Sequence, residues 1–241
     1  MTGVQLISAQ TANDNEGKTA AITEMDSVEQ PDGVVAREAL PVGAERSLET
    51  FVQSKGKRLF DILAALALCV LTAPLLAMLM ILVRMTSKGP ALYWSERVGR
   101  NNRLFLMPKF RSMRTDTPQI ATHLLVNAEE YLTPIGGFLR RASLDEVPQL
   151  FSILRGDLSF VGPRPALFNQ TDLVALRTGL GIHRLVPGLT GWAQVNGRDE
   201  LPIPEKVRFD CEYMQRQSFK FDLQIMMLTV VKVIRREGIR H

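Results

Sequence analysis

The chain has 241 residues, of which 46% are hydrophobic, and this is enough for one domain of ordinary size plus a tail. The 29 basic and 25 acidic residues are unevenly divided, because the first fifty residues hold nine acids and three bases. Residues 51–241 therefore carry a net charge of +10, which suits anionic lipid headgroups or phosphorylated substrates. The two cysteines and three histidines lack ligand spacing, which excludes a disulfide framework and a zinc site.

Residues 1–50 are predicted to be a disordered acidic tail. The segment has no aromatic residue and no sustained apolar periodicity, so it cannot bury enough surface to offset the entropy of ordering. We also expect no secretory signal here, because no basic start is followed at once by an apolar core.

Residues 55–88 contain an uncharged stretch, Ile62 to Val83, that as a helix would rise about 33 Å and could cross a hydrocarbon core. A plain spanning helix is one interpretation. Pro74 lies near the centre, where it removes a backbone hydrogen bond and favours a kink. Basic residues flank both ends, and the positive-inside tendency draws both ends to the cytoplasmic face. These features favour a re-entrant helix-break-helix segment kinked at Pro74, which dips into one leaflet and returns.

Residues 89–241 are predicted to form a globular domain of the α+β class, mainly helical and with little sheet. Short strands are expected at 91–94 and 105–107, and helices at 124–141 with a break at Pro134, 147–155, 204–215 and 221–236. The last helix is too short and too polar to span a membrane. It fits an amphipathic helix lying in the membrane interface as well as it fits a helix packed on the core.

Two adjacent carboxylates, Asp145 and Glu146, follow a pair of arginines that begins at Arg140. Such proximity favours binding of a phosphate and a divalent cation. The same stretch also fits a helix start, because Ser143 and Glu146 form a capping-box pattern. Capping by Asp145 would instead place Pro148 in the first turn, where its missing amide is not needed. The local pattern leaves the catalytic and the capping interpretations open.

Three further segments supply groups that could hold a phosphate or a base. Arg164 lies between Pro163 and Pro165, and this stiff backbone lowers the entropy lost when the guanidinium binds phosphate. The alternation over 109–114 aims Lys109 and Arg111 to one strand face, as a solvated strand edge would also do. The stretch 187–198 combines turn-forming glycines with side chains that can stack on a base and hydrogen-bond to it, namely Trp192, Gln194, Asn196 and Arg198.

Five motifs follow one another along the chain: Lys57-Arg58-Leu59-Phe60-Asp61, Lys109-Phe110-Arg111-Ser112-Met113, Ser143-Leu144-Asp145-Glu146-Val147-Pro148-Gln149-Leu150, Gly156-Asp157-Leu158-Ser159-Phe160-Val161-Gly162-Pro163-Arg164-Pro165 and Pro187-Gly188-Leu189-Thr190-Gly191-Trp192. In this order they resemble the bacterial sugar transferase family, the monotopic polyprenyl-phosphate phosphoglycosyl transferases. The resemblance runs from about residue 55 to the end. A re-entrant helix broken by proline is also a feature of that family.

The resemblance implies a two-step exchange. A carboxylate attacks the sugar-linked phosphate of a UDP-sugar, UMP leaves, and polyprenyl phosphate takes the phosphosugar from the enzyme. Matched motif by motif, Asp145 is the nucleophile and Glu146 a ligand of Mg²⁺, with Mn²⁺ as an alternative metal. The predicted phosphate-binding residues are Lys109, Arg111, Arg140 and Arg164. The candidates for binding the nucleotide or another part of the substrate are Pro163, Trp192, Gln194, Asn196 and Arg198.

The resemblance also implies a place in the cell and a set of partners. We expect a monotopic enzyme of the bacterial inner membrane, with residues 89–241 as a catalytic domain on the cytoplasmic face. Its expected partners are UDP-sugar, polyprenyl phosphate and inner-membrane lipid, with no nucleic acid, and a homo-oligomer stays open. The expected step is the first membrane step of exopolysaccharide, O-antigen or glycoconjugate assembly, and no motif indicates which sugar is transferred.

Two positions depart from the family pattern. Ala73 precedes the expected kink where relatives often have serine, and Glu129-Glu130-Tyr131 stands where many relatives show Asp-Pro-Arg. Two alternatives to the covalent route stay open. In one, Asp145 is a general base for direct attack by the lipid phosphate. In the other, the chain is a non-catalytic membrane adaptor of envelope polysaccharide assembly, whose basic face binds anionic lipid.

Overall fold

The computed structural model describes residues 55–118, 127–197 and 201–235. The described part is mainly helical and contains two small two-stranded sheets, which confirms the predicted mainly helical class with little sheet. The predicted acidic tail and the candidate Arg198 lie outside the described residues.

The first element is a long helix, α1 (Lys55–Thr86), with Pro74 in its interior. Among the described residues it is the one helix long and apolar enough to cross a membrane. Many of its large apolar side chains are exposed: Leu59, Leu63, Leu66, Leu68, Val70, Leu71, Met78, Met80, Ile81, Leu82 and Met85. Such a surface suits a lipid environment. The kink and the re-entrant path stay predictions.

A β-hairpin follows α1. Strands β1 (Leu92–Val98) and β2 (Leu104–Phe110) pair in antiparallel fashion, and they cover both stretches predicted as strands except for Ala91. The connection is a 3-10 turn in which Asn101 and Asn102 have positive φ values of 55° and 59°, a conformation that asparagine tolerates better than most residues. Lys109 lies next to the last residue of β2, which contacts the 3-10 helix Leu144–Gln149.

The remaining elements are short until the last two helices. In chain order they are a 3-10 turn (Ala128–Tyr131), α2 (Gly136–Arg141), a 3-10 helix (Leu144–Gln149), α3 (Leu150–Arg155), β3 (Ser159–Val161), α4 (Thr171–Gly179), a 3-10 turn (Ile182–Arg184), β4 (Gly188–Thr190), α5 (Trp192–Asn196), α6 (Ile203–Arg216) and α7 (Phe219–Arg235). β3 and β4 are parallel. The predicted break at Pro134 is confirmed, but the described residues before it contain a 3-10 turn (Ala128–Tyr131) in place of the helix predicted from residue 124. The helix predicted over 147–155 is 3-10 up to Gln149 and α-helical only from Leu150.

The main core lies where α3, β3, α6 and α7 meet. Ile153, Leu158 and Ile225 are almost completely buried there, and the ring of Phe221 contacts the rings of Trp192 and Tyr213. Burial of one such side chain contributes about 1.5–3 kcal/mol, so this cluster supplies much of the stability of the domain.

The start of α1 is hydrogen-bonded to this core. Arg58 donates bonds of 2.6 and 2.7 Å to the carbonyls of Ile153 and Leu154, in the last turn of α3. The amide of Phe160 in β3 donates to Asp61 at 3.3 Å. The first turns of the apolar helix are therefore part of the globular domain.

The second half of α1 also contacts the domain. Leu79 and Val83 are buried in a separate cluster with Phe110 of β2 and Leu139 of α2. The helix thus touches the same body near its start and near its end, while much of its surface between these contacts is exposed.

Candidate active site

The two adjacent carboxylates lie in the 3-10 helix Leu144–Gln149. Ser143, just before it, has a left-handed backbone (φ 54°, ψ 21°) and makes no side-chain capping bond. The capping-box interpretation is therefore wrong, and no hydrogen bond of Asp145 to a helix start occurs among the described residues. A left-handed conformation is uncommon for serine. It leads the chain into a short 3-10 turn from which Glu146 reaches across to other elements.

Glu146 binds two cations. Lys109 Nζ, from β2, donates to Glu146 Oε1 at 3.2 Å, and Arg164 Nη2 donates to the same oxygen at 2.9 Å. Burial by itself would raise the pKa of Glu146, but the charges and hydrogen bonds of Arg164 and Lys109 outweigh it and hold that pKa well below its ordinary value. Glu146 is therefore a carboxylate at any physiological pH.

Asp145 has a different environment although it is the next residue. Only 8% of its surface is exposed, and it makes no ion pair with any residue that the structure describes. Burial, assisted by the negative charge of Glu146, raises its pKa to about 6, although Lys109, Arg140 and Arg164 are close enough to oppose the rise. The result is a basic carboxylate surrounded by positive charge.

Arg140 approaches the carboxylates from α2. Its Nε donates to the Ser112 hydroxyl at 3.1 Å, and Nη2 lies 3.4 Å from the sulfur of Met113. Burial lowers the pKa of Arg140, and the charges of Asp145 and Glu146 oppose that effect. The motif that contains Lys109 thus also supplies the contacts that orient Arg140.

The loop that carries Arg164 is built on close backbone contacts. The amide of Gly162 donates to Thr190 of β4 at 2.9 Å, and the carbonyl of Pro163 accepts from the amide of Gly188 at 3.0 Å. A side chain at Gly188 or Gly191 would collide with the backbone of Gly162. The glycines at 188 and 191 are therefore needed for these close contacts, which hold Pro163 against β4. Substrate binding by Pro163 stays a prediction.

Arg111 is separate from the carboxylates. Its Nη2 donates to the carbonyl and hydroxyl of Ser87, at 2.9 and 2.7 Å, just after the end of α1. Because β2 ends at Phe110, the strand alternation that paired Arg111 with Lys109 does not continue. A cation at the carboxyl end of a helix interacts favourably with the helix dipole. Phosphate binding by Arg111 stays a prediction.

The aromatic and amide candidates lie around α5. The ring centroid of Trp192 is 5.1 Å from that of Phe221 and 5.5 Å from the Arg216 guanidinium carbon, so its faces are partly covered by the core. Asn196 donates to the carbonyl of Trp192 at 2.7 Å. Both amide atoms of Gln194 are buried without a hydrogen-bond partner in the described part of the chain. Nucleotide binding by this group stays a prediction, with Gln194 as its strongest member.

Sequence reasoning missed two arginines that bind the loop of Arg164. Arg97 of β1 donates to the carbonyl of Pro165 at 3.2 Å. The pKa of Lys109 is lowered mainly by burial, and the charges of Arg164 and Arg97 lower it further. Arg177 of α4 donates to the carbonyl of Arg164 at 2.8 Å. Neither residue is marked by a local pattern, because each contact depends on the folded position of the loop.

Mg²⁺ binding at Glu146 stays a prediction. No group of three or more His, Cys, Asp or Glu side chains forms a cluster within residues 55–118, 127–197 and 201–235. Mg²⁺ commonly needs only one or two carboxylates when phosphate oxygens and water complete its shell. Glu146 supplies one such carboxylate.

Comparison with known proteins gives a consistent result. The model of the bacterial sugar transferase family matches residues 52–236. The chain is 40% identical over 189 residues to the undecaprenyl-phosphate glucose phosphotransferase of Komagataeibacter xylinus, covering 74% of this chain and 36% of that protein. It is 34% identical over 197 residues to the undecaprenyl-phosphate galactose phosphotransferase of Salmonella typhimurium, covering 76% and 41%. The exopolysaccharide production protein ExoY of Rhizobium meliloti is 34% identical over 197 residues, covering 76% and 87%. The chain thus spans about two fifths of the first two relatives and most of the third.

Proposed function

Because the chain belongs to the bacterial sugar transferase family, we propose that it transfers a sugar 1-phosphate from a UDP-sugar to polyprenyl phosphate and releases UMP. The names of two relatives support this reaction, since both specify a phosphotransferase that acts on undecaprenyl phosphate. They name different sugars, glucose and galactose, so the sugar used here is left open. The name of the third relative favours a role in exopolysaccharide assembly.

The contrast between Asp145 and Glu146 carries the proposal. Two neighbouring carboxylates with pKa values pushed in opposite directions commonly have different tasks in one reaction. Glu146 forms ion pairs with Lys109 and Arg164. Asp145 lies near the same two cations but forms no ion pair among the described residues. Its raised pKa makes it the more basic group. Asp145 is therefore the better nucleophile, and Glu146 the better fixed charge.

The first step forms a bond between an Asp145 oxygen and the sugar-linked phosphorus of the UDP-sugar. The bond from that phosphorus to the bridging oxygen breaks, and UMP leaves with the electron pair. In the second step an oxygen of polyprenyl phosphate attacks the same phosphorus, and the Asp145 carboxylate is released. The products are polyprenyl diphosphate sugar and the original enzyme. Splitting the exchange in this way replaces one encounter of two anionic substrates by two separate encounters with the enzyme.

The cations around the pair have a clear task in this scheme. Lys109, Arg140 and Arg164 would bind the oxygens of the diphosphate, where their positive charge stabilises the charge that develops during transfer. Glu146 would hold Mg²⁺, which when bound offsets the negative charge of the phosphates. Glu146 would also hold the mutually repelling cations Lys109 and Arg164 together, because both donate to its Oε1.

The packing of α1 supports a membrane location with the domain on one face. A helix that crosses a bilayer has its ends on opposite sides, where one globular body cannot bind both. Here Arg58 and Asp61 near the start, and Leu79 and Val83 near the end, contact the same domain. A segment that enters and leaves the cytoplasmic leaflet satisfies both sets of contacts. We therefore retain the re-entrant arrangement as part of the proposal.

The exposed stripe on α7 supports an interfacial position for that helix. Phe219, Leu223, Met227 and Val230 are exposed, and their spacing places them on one side of the helix. The ring of Phe219 is also 5.2 Å from the ring of Phe60 on α1. The stripe therefore begins next to the apolar helix. With both surfaces in the leaflet boundary, the carboxylates would meet a lipid-borne phosphate at headgroup depth.

The decisive experiment is a transfer assay with purified protein in detergent. UMP release is measured with UDP-glucose and UDP-galactose, Mg²⁺ and undecaprenyl phosphate. We expect turnover with at least one donor and a loss of about 10³-fold or more in Asp145→Asn, since the nucleophile is removed. Asp116→Asn is the matched control, because Asp116 pairs only with exposed Arg114 among described contacts. Retained turnover in Asp145→Asn would remove Asp145 from the nucleophile role.

A second measurement separates the covalent route from direct attack. The enzyme is mixed with a donor labelled in the sugar-linked phosphate, without lipid acceptor, and the protein is isolated. The covalent route predicts label on wild-type protein, about one equivalent of UMP, and neither in Asp145→Asn. Turnover without any trapped label would favour Asp145 as a general base. No turnover with any UDP-sugar would favour the membrane adaptor instead.

Membrane topology has its own test. In a variant free of native cysteines, Lys55→Cys and Lys88→Cys are labelled one at a time with a membrane-impermeant maleimide. Both positions are exposed in the structure. The re-entrant arrangement predicts labelling of both from the cytoplasmic side only. Labelling from opposite sides would show a spanning helix.

A further inference from the structure

Arg177 and Asp210 form a buried ion pair that the proposed reaction does not use. Arg177 of α4 is 8% exposed and Asp210 of α6 is 1% exposed. Arg177 Nε and Nη2 donate to Asp210 Oδ2 at 2.9 and 2.6 Å. The remaining terminal nitrogen, Nη1, donates to the backbone carbonyl of Arg164 at 2.8 Å. One guanidinium therefore joins α6 to the residue that holds Glu146.

The contact acts on the backbone of the residue whose side chain is at the candidate site. Arg164 Nη2 is 2.9 Å from Glu146 Oε1, so a small shift of the Arg164 backbone changes where its guanidinium meets the diphosphate. The flanking prolines limit rotation within the loop but do not fix the loop relative to the rest of the domain. Backbone hydrogen bonds hold Gly162 and Pro163 against β4, and the buried guanidinium of Arg177 adds a bond to the carbonyl of Arg164 itself.

A gain in stability does not account for the pair. Burying two charges costs desolvation energy, and replacing such a pair by apolar side chains of similar size is often neutral or stabilising. A pair retained at this place is better explained by the geometry that it imposes. Because Nε and Nη2 of Arg177 are bound to Asp210, Nη1 is directed at the carbonyl of Arg164. Lysine cannot reproduce this geometry, because its ammonium lacks the planar fork of a guanidinium.

We infer that Arg177, oriented by Asp210, is a positioning residue that sets the location of Arg164 against Glu146 for phosphosugar transfer. The inference rests on the proposed function for its readout. Arg177 itself does not contact the substrate. Its effect on transfer depends on the presence of the Arg164 side chain.

A double-mutant cycle tests this condition. The paired replacement Arg177→Met with Asp210→Leu removes both charges together, so that no buried charge is left alone. It is combined with Arg164→Ala, and kcat/KM for the UDP-sugar is measured by UMP release. We expect the paired replacement to lower kcat/KM by about tenfold in the wild-type background, as a misplaced binding group does. In the Arg164→Ala background it should have almost no further effect, because residues that act through one another are not additive.

Stability and control measurements complete the test. The paired replacement should keep the thermal midpoint within a few degrees of the wild type, which separates positioning from unfolding. Arg177→Lys is a second variant, which keeps a charge opposite Asp210 and should stay folded with lowered kcat/KM. Arg208→Met is the control, because Arg208 is an exposed arginine on the same helix as Asp210. It should leave kcat/KM unchanged.

The outcomes are distinct. An equal fall in kcat/KM in both backgrounds, or full activity in the paired replacement and in Arg177→Lys, would overturn the positioning role while leaving the proposed function intact. If the paired replacement does not fold, unchanged kcat/KM in Arg177→Lys alone overturns it. A wild-type protein without any transfer activity would overturn both.

Discussion

Replacing Asp145 by asparagine should make the protein more stable while abolishing transfer. In the folded protein, burial first and the charge of Glu146 second raise the Asp145 pKa from 3.8 to about 6. A tenfold change in proton affinity corresponds to about 1.4 kcal/mol, so holding this carboxylate ionised costs the folded state about 3 kcal/mol. Asparagine has a similar shape and carries no charge. The variant therefore escapes a cost that the wild type bears at neutral pH.

The sign of the effect fixes its pH dependence. Below about pH 3.8 the carboxyl group is protonated in both folded and unfolded states, and the cost is absent. Between about pH 3.8 and 6 the unfolded chain loses the proton first, so the stability of the wild type falls relative to that of Asp145→Asn. Above about pH 6 the gap is complete. We expect the difference in unfolding free energy between the two proteins to reach about 3 kcal/mol. Each kcal/mol corresponds to roughly 2–4 °C in thermal midpoint for a domain of this size.

Thermal unfolding in detergent with EDTA and without nucleotide, at pH values from about 4.5 to 7.5, measures this gap. Glu146→Gln is the matched control and should be less stable than the wild type at pH 7.5. Its pKa is held low by Arg164 and Lys109, so its charge stabilises the folded protein above its ordinary pKa, and glutamine loses that contribution. The reasoning is refuted if Asp145→Asn is no more stable than the wild type at pH 7.5, or if the gap does not shrink on acidification.

Three further outcomes are expected. The value of kcat/KM for UMP release should fall below about pH 6, because Asp145 takes up a proton there. Glu146 should cause no further fall above about pH 5, since its pKa is held low. A flat profile between pH 5 and 8 would contradict the role of Asp145 as nucleophile. Mg²⁺ should raise the thermal midpoint of the wild type more than that of Glu146→Gln, and equal shifts would exclude Glu146 as a metal ligand. Lys57→Met should destabilise the protein by about 3–5 kcal/mol, because it leaves buried Asp222 without its cation, and adding Asp222→Asn should restore much of the loss in a denaturant titration.

The sequence predicted the parts of the site that are local or that come from family motifs. The carboxylate pair was visible as two adjacent acids, and the rigid loop of Arg164 was visible from its two prolines. The structure brings Lys109, Arg140 and Arg164 around that pair, although they are far apart in the chain. The resemblance to a family, not the spacing of residues, indicated that these three belong together.

The errors and omissions have physical reasons. Ser143 and Glu146 matched a capping box, but the pull of Lys109 and Arg164 directs the Glu146 side chain away from the helix start. Arg111 was grouped with Lys109 by strand alternation, which stops where β2 ends. The pairing of Arg177 with Asp210 joins residues 33 apart in the chain, and a periodic pattern carries no information about such contacts.

The two attachments of α1 to the domain also bear on how the protein responds to its bilayer. An anchor joined to its domain at a single point can tilt as the hydrocarbon layer thickens or thins, and the domain would then rise or sink. An anchor clamped at two points, through Arg58 at one end and Val83 at the other, cannot tilt without breaking one of them. In the proposed arrangement the depth of Asp145 would be set by protein contacts and not by membrane thickness, so transfer to a lipid-borne phosphate should be the same in bilayers of short and long acyl chains.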